Sequence, residues 1–196
     1  MRDDLSLISE WIPEQASLLD LGCGDGTLLA YLTGKKQIRG YGLEIDQANI
    51  AACLSKGVNV IQQDLDQGLG NFQNMRFDYV VMTQALQAVL RPDHVLADML
   101  RVGREAIITF PNFGHWKVRG YLILKGRMPV STRLPYQWYD TPNIHLCTVK
   151  DFETHCHKNG IRIVERHVLN REHRRGSLAR LWPNLFGELA IYRVTL

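Results

Sequence analysis

Glycine stands at every second position from 22 to 26, between the apolar run 17–21 and a run carrying Leu28, Leu29 and Leu32. Such a segment can turn from strand to helix within a few residues. Glycine takes backbone angles that other residues avoid, and it lets the main chain come close to a ligand. The helix behind the turn directs free N–H groups toward it. The surroundings repeat the same alternation. Further strands are predicted at 38–45, ending near Glu44, at 58–61, followed by Asp64, at 77–82 and at 106–110. Helices fall between them: one from the N-cap Asp46 to a stop at Gly57, and one opening near Pro92 and ending at Gly103, with Val95, Leu96, Met99 and Leu100 on one face. A leading helix carries Leu5, Ile8 and Ile12 and is stopped by Pro13. Strands alternating with helices predict a doubly wound, mostly parallel α/β sheet with helices on both faces.

The pattern lapses over residues 112–147, an aromatic insertion after the fifth strand that reads as a lid or a binding element. The segment includes Pro129, Pro135 and Pro142, and carries Phe113, Trp116, Tyr121, Tyr136, Trp138 and Tyr139. Regularity returns at Thr148 with Asp151 three residues on, the mark of a capped helix whose apolar face is Val149, Phe152 and Cys156. Strands are predicted at 161–168 and 188–195, with a basic segment 171–180 between them.

At 196 residues the chain is read as a single domain, 1–196, able to bury a core without staples. Four cysteines without a CxxC pair read as reduced thiols, and the acidic start MRDDLSLISEW is unlike a secretory leader, so a cytoplasmic place is expected. No apolar stretch reaches the length of a membrane span, so no membrane is expected. The formal charge of +3 hides an asymmetry: residues 1–112 carry net −5 and residues 113–196 net +8, with six of the seven histidines. The basic half reads as a solvated face or a docking surface for an acidic partner or an acyl-CoA phosphate. No nucleic-acid reading motif accompanies it, and nucleic acid is not expected.

The carboxylates around the glycines choose between ligands. The spacing is GxGxG, not the GxGxxG of dinucleotide folds, and Asp20 and Asp25 crowd the loop. Carboxylates repel a pyrophosphate but suit a ligand carrying an amine and a sulfonium. That chemistry is S-adenosylmethionine, or S-adenosylhomocysteine as its product, with the amino-acid carboxylate on the loop N–H groups. Glu44, 22 residues after Gly22, stands where a carboxylate can accept from both ribose hydroxyls. Asp64 is placed to accept from the adenine amino group, with Leu65 offering backbone beside the ring.

The segments LLDLGCGDGTLLAYL, GLEID, QQDLDQGL and FDYVVMTQALQ resemble the class I S-adenosylmethionine-dependent methyltransferase fold. ITFPNFGHWKVRGYLILKGRMPVS and LPYQWYDTPNIHLCTVKDFE carry a closer resemblance, to the MetW family of methionine-biosynthesis proteins. The resemblance implies a seven-stranded sheet whose last strand is antiparallel. It implies action with a MetX-type homoserine O-acyltransferase in making O-acylhomoserine, with O-succinylhomoserine the expected form. The alternative is an S-adenosylmethionine-dependent methyltransferase acting on a small molecule. The fold family's cofactor positions fall on Asp20, Gly22, Gly24, Gly26, Glu44 and Asp64, with Gln84 beside the methionine part. No catalytic residue is implied.

Other candidates follow the fourth and fifth strands. Phe110-Pro111-Asn112 is similar to the motif of amino-group methyltransferases but lacks its first Asn and second Pro, which speaks against DNA or glutamine methylation. Asn112 is read as a turn residue or a substrate ligand, and His115 and His145 as surface or pocket residues. His155-Cys156-His157 has no matching ligand spacing elsewhere, so no metal is expected. Trp116, Tyr136, Trp138, Tyr139, Arg174 and Arg175 are the candidate partner surface, since aromatic and arginine anchors dominate interfaces.

Overall fold

A computed structural model describes residues 3–131, 134–169 and 177–196. Seven strands form one sheet in the order β3-β2-β1-β4-β5-β7-β6. They are β1 (Ser17–Leu21), β2 (Arg39–Glu44), β3 (Val60–Gln62), β4 (Phe77–Thr83), β5 (Gly103–Pro111), β6 (Arg162–Leu169) and β7 (Leu189–Thr195). The first five pair in parallel, while β7 runs antiparallel to both β5 and β6. The chain leaves β1 for β2 and β3 on one side and later for β4 and β5 on the other. The crevice between the carboxyl ends of β1 and β4 is therefore the switch point where open α/β sheets hold ligands.

The helices are α1 (Asp3–Trp11), α2 (Thr27–Lys36), α3 (Gln47–Ser55), α4 (Pro92–Val102), α5 (Trp116–Lys125), α6 (Val149–Lys158), α7 (Ser177–Leu181) and α8 (Pro183–Phe186). Strand side chains alternate between faces, so the sheet separates two apolar layers. One gathers Leu19, Met82 and Phe110 with α4 and α6. The other gathers Leu18, Val81 and Ile107 with α1 and α2. Local signals set the boundaries as the sequence predicts. Asp46 accepts from the Asn49 N–H at 2.9 Å, and Thr148 and Asp151 form a reciprocal capping box. A cap of this kind is worth about 1 kcal/mol.

Asp78, the one acid in the apolar run of β4, clamps β4 to β1. The Ser17 hydroxyl and N–H both donate to Asp78 Oδ2, at 2.7 and 2.9 Å, and that hydroxyl accepts from the Asp78 N–H at 2.9 Å. These bonds from Ser17 hold the Asp78 carboxyl below its usual range.

Two differences from the sequence expectation matter. The fifth strand begins at Gly103 rather than at 106, with no loop after α4. A Cβ at Gly103 would lie 2.5 Å from Val80 Cγ2, so the close helix-to-strand passage has no room for a side chain. Second, the insertion contains a helix, α5, where no element is predicted. Four apolar residues in succession, 121–124, blur any helical period, and of α5 only Val118 is buried. Arg174 and Arg175 lie outside the described residues.

Candidate functional site

The glycine loop is held from every side by its own protein. Gly22, Gly24 and Gly26 have φ of 66°, 55° and 73°, angles at which L side chains are strained. The Gly22 and Cys23 N–H groups donate to the Leu43 carbonyl at 2.9 and 3.0 Å, and Gly26 donates to the Cys23 carbonyl at 3.1 Å. Gly24 is pinned at both ends of its residue. Its N–H donates to Glu44 Oε2 at 2.8 Å, and its carbonyl accepts from the Cys53 thiol at 3.2 Å. Burial, and then the neighbouring Asp20 charge, pushes the Cys23 thiol up, while burial raises Cys53 as well. Both thiols therefore stay protonated and pack as small apolar groups beneath the loop, their sulfurs 3.8 Å apart.

The three glycines do different work. A Cβ at Gly26 would meet Cys53 Sγ at 2.8 Å, so Gly26 serves the packing of α2 against α3. A Cβ at Gly22 would sit 3.2 Å from the Ala85 Cβ and 3.9 Å from Leu65 Cδ1, which places β1, β4 and the turn after β3 around one crevice. A Cβ at Gly24 would meet nothing within 4 Å, so the loop faces open space there.

The carboxylates are equally distinct. Glu44 is 8% exposed, and its Oε1 accepts from the Ile45 and Asp46 N–H groups at 2.9 and 3.0 Å. With the bond from Gly24 that makes three backbone donors, which fix the carboxylate at the carboxyl end of β2. Asp20 is buried at 1% exposure at the end of β1, in register with Gly42 and Val81. Asp64 opens a short 3₁₀ turn, where its Oδ1 accepts from the Asp66 N–H at 2.9 Å. Leu65 follows, half-buried against the core. Asp25 turns outward: Lys56 Nζ lies 2.5 Å from its Oδ2, and that hydrogen bond holds the carboxyl below its usual range. Its charge therefore does not crowd the crevice, and the repulsion argued from the sequence rests on Asp20 and Glu44 alone.

Gln84 ends β4 with φ of 54°, and its side chain reaches back to α1, donating to Asp4 Oδ2 at 3.1 Å. Asn112 is 3% exposed and its amide is fully engaged. Nδ2 donates to the Asn184 and Gly187 carbonyls at 3.1 and 2.7 Å, and Oδ1 accepts from Gly114 and Val149 at 3.0 and 3.2 Å. It thereby joins the end of β5 to α5, α6 and the α8–β7 turn. His115 caps α5 and is 5% exposed. His145 is exposed and holds the insertion's end against the loop after β4, its Nε2 3.2 Å from the Leu90 carbonyl and its N–H donating to the Gln87 carbonyl at 3.0 Å. Trp116, Tyr136, Trp138 and Tyr139 are 49, 46, 75 and 70% exposed. Cys156 is buried on the apolar face of α6.

The family model described as methionine biosynthesis protein MetW matches residues 2–194. The chain belongs to the MetW family. A bifunctional methionine biosynthesis protein MetXA/MetW from Rhodopirellula baltica is 40% identical over 157 residues, 76% of this chain and 25% of that protein. The chain thus spans about a quarter of that relative's length. An S-adenosylmethionine-dependent methyltransferase from Thermotoga maritima superposes with a TM-score of 0.67 at 16% identity, over 98% of this chain and 87% of that one. The cyclase SpnF superposes with 0.68 at 17% identity, over 97% and 79%. These likenesses show the class I methyltransferase fold. SpnF is a cyclase, so the fold alone does not name a reaction.

Sequence reading of this MetW-family chain missed Asp4 as the partner of Gln84, Cys53 as the donor to Gly24, and Glu188 beside His115. Each acts across the fold, 80, 29 and 73 residues from its partner, so no local spacing signals it.

Proposed function

We propose that this chain binds S-adenosylmethionine at the glycine loop and supports a MetX-type homoserine O-acyltransferase in forming O-acylhomoserine for methionine biosynthesis. The observation that carries the cofactor reading is the bond from Gly24 to Glu44, with open space over Gly24. It joins the loop to a buried carboxylate at the carboxyl end of β2, beside the switch point, where a ligand's ribose can be received. The residues present suit the group. Glu44 would accept from the ribose hydroxyls and Asp64 from the adenine amino group through its remaining oxygen. Leu65 would flank the ring, and Asp20 would favour the cationic amine. The N–H groups of Gly22, Cys23, Gly24 and Gly26 already have partners, so the ligand's carboxylate would need another donor. When bound, S-adenosylmethionine supplies an electrophilic methyl group.

The partner reading is supported by the bifunctional relative, whose name joins MetXA to MetW in one protein. It is supported too by the exposed aromatic residues of the insertion, which suit burial against a macromolecule. The test is acyl transfer by the purified acyltransferase with and without this chain, at graded S-adenosylmethionine. A rise in acyl transfer on adding the chain is expected, and no rise would overturn the partner reading. Calorimetry of S-adenosylmethionine on the chain alone tests the cofactor reading separately. Steady release of S-adenosylhomocysteine with a small acceptor would favour the methyltransferase alternative.

A further inference from the structure

A cavity of about 290 Å³ lies beyond the end of β5, between α5 and the segment that follows it. In the sheet order β4 separates β5 from β1, so the cavity is removed from the glycine loop by about 10 Å of sheet. Its walls are mostly apolar, with Val118, Pro129 and Leu134 among them; His115, Lys117 and Glu188 lie together in the lining, which also takes in Asn112, Tyr121 and Ser131.

The state of Glu188 is the informative feature. Its side chain is only 15% exposed, yet among the described residues the nearest cationic or ring nitrogens are Lys117 Nζ at 3.5 Å and His115 Nε2 at 3.9 Å. Among the described residues no donor gives its carboxylate a short hydrogen bond. A mostly buried carboxylate ordinarily takes charge-assisted bonds of about 2.7–2.9 Å. His115 has Nδ1 engaged as acceptor of the Lys117 N–H at 3.4 Å, so a neutral ring carries its proton on Nε2, on the side of Glu188. The cavity thus offers one under-bonded anion, one neutral N–H donor and one ammonium, against apolar walls.

We propose that this cavity binds a small α-amino acid as its zwitterion. The ligand's ammonium donates to Glu188, its carboxylate accepts from Lys117 Nζ and His115 Nε2–H, and an uncharged side chain lies against Val118, Pro129 and Leu134. A cavity of about 290 Å³ has room for a small amino acid.

The experiment is calorimetric titration of the full chain with each of the twenty protein amino acids and L-homoserine. At least one uncharged member is expected to bind with a dissociation constant below about 1 mM. Its N-acetyl derivative and its methyl ester should lose binding, because each removes one of the two charges. Glu188→Gln should weaken it by about tenfold or more. Leu134→Trp, which adds bulk to the apolar wall, should abolish it. S-adenosylmethionine titrated into the same preparations reports on the glycine loop separately, and binding there need not change. The proposal is overturned if no member of the panel binds the unaltered chain. It is overturned equally if binding survives both N-acetylation and Glu188→Gln, or if the amino acid is displaced by S-adenosylmethionine.

Discussion

The glycine loop and the insertion are built on opposite plans. At the ends of β1 and β2 the chain ties itself down: four loop N–H groups and the Gly24 carbonyl all have partners within a few residues of the crevice. The insertion leaves its large side chains in water. Ile123 and Leu124 of α5 are 81 and 82% exposed, and Trp138 is 75% exposed. Holding a small ligand requires atoms fixed before it arrives, because the ligand contributes too few contacts to order a loose site. Meeting a macromolecule requires apolar area kept open, at the risk of association with the wrong surface. On the proposed function, the cofactor crevice and the docking side chains lie apart along the sheet.

The sharpest way to break this division is at Gly24. Valine there must take φ of 55°, which a β-branched residue resists, and its side chain would project into the open space of the crevice. Gly24→Val is expected to reduce S-adenosylmethionine binding by more than about 100-fold, with the fold retained by circular dichroism. Asp20→Asn, which removes the negative charge beside the ligand's amine at nearly constant side-chain size, should weaken binding by about tenfold or more. Wild-type affinity in either variant, measured by calorimetry, would remove the ligand from this crevice.

Asn112 ties the insertion to the end of β5 and gives the next largest effect. Its amide makes four hydrogen bonds to backbone groups of separate segments. Asn112→Ala leaves those groups without a partner in a buried place, at an expected cost of about 2–4 kcal/mol in urea unfolding. An effect below about 1 kcal/mol would mean that the insertion is anchored elsewhere. At the exposed side chains the expectation reverses. The Trp138→Ala, Tyr139→Ala double variant should change stability by no more than about 0.5 kcal/mol. It should weaken association with the acyltransferase by about tenfold or more, read by pull-down or light scattering. Intact association would move the docking face off this pair.

This contrast also explains what the sequence could reveal. The strand–loop–helix alternation, the Asp46 cap, the Thr148 capping box and the buried face of α6 depend on neighbours in sequence, and all were legible. So was the sheet's one reversed strand, through the family resemblance. What escaped depends on distant partners or on the lack of a pattern. The outward turn of Asp25 is set by Lys56, 31 residues away. The reach of Gln84 to Asp4 spans 80 residues. Helix α5 has no buried stripe to announce it, because the face that would give it a period is exposed.

The smallest expected effect concerns the buried imidazole of the insertion. Burial lowers the His115 pKa below its ordinary value of 6.5, with Glu188 acting in the opposite direction and Lys117 adding to the lowering. The sign follows from proton counting. Below pH 6.5 the unfolded chain binds a proton that the folded chain still refuses, so the unfolded state gains and stability falls. The loss begins as pH drops through 6.5 and levels off once the folded imidazole also charges; at neutral pH there is none. His115→Asn keeps a side-chain acceptor for the Lys117 N–H, so the α5 cap survives while the titration disappears. Urea unfolding of the wild type and of this variant at pH 7, 6 and 5 should therefore show the wild type losing ground steadily toward acid. A constant difference between the two would mean that His115 titrates freely, and the end of the cavity at Glu188 would then be far wetter than its burial indicates.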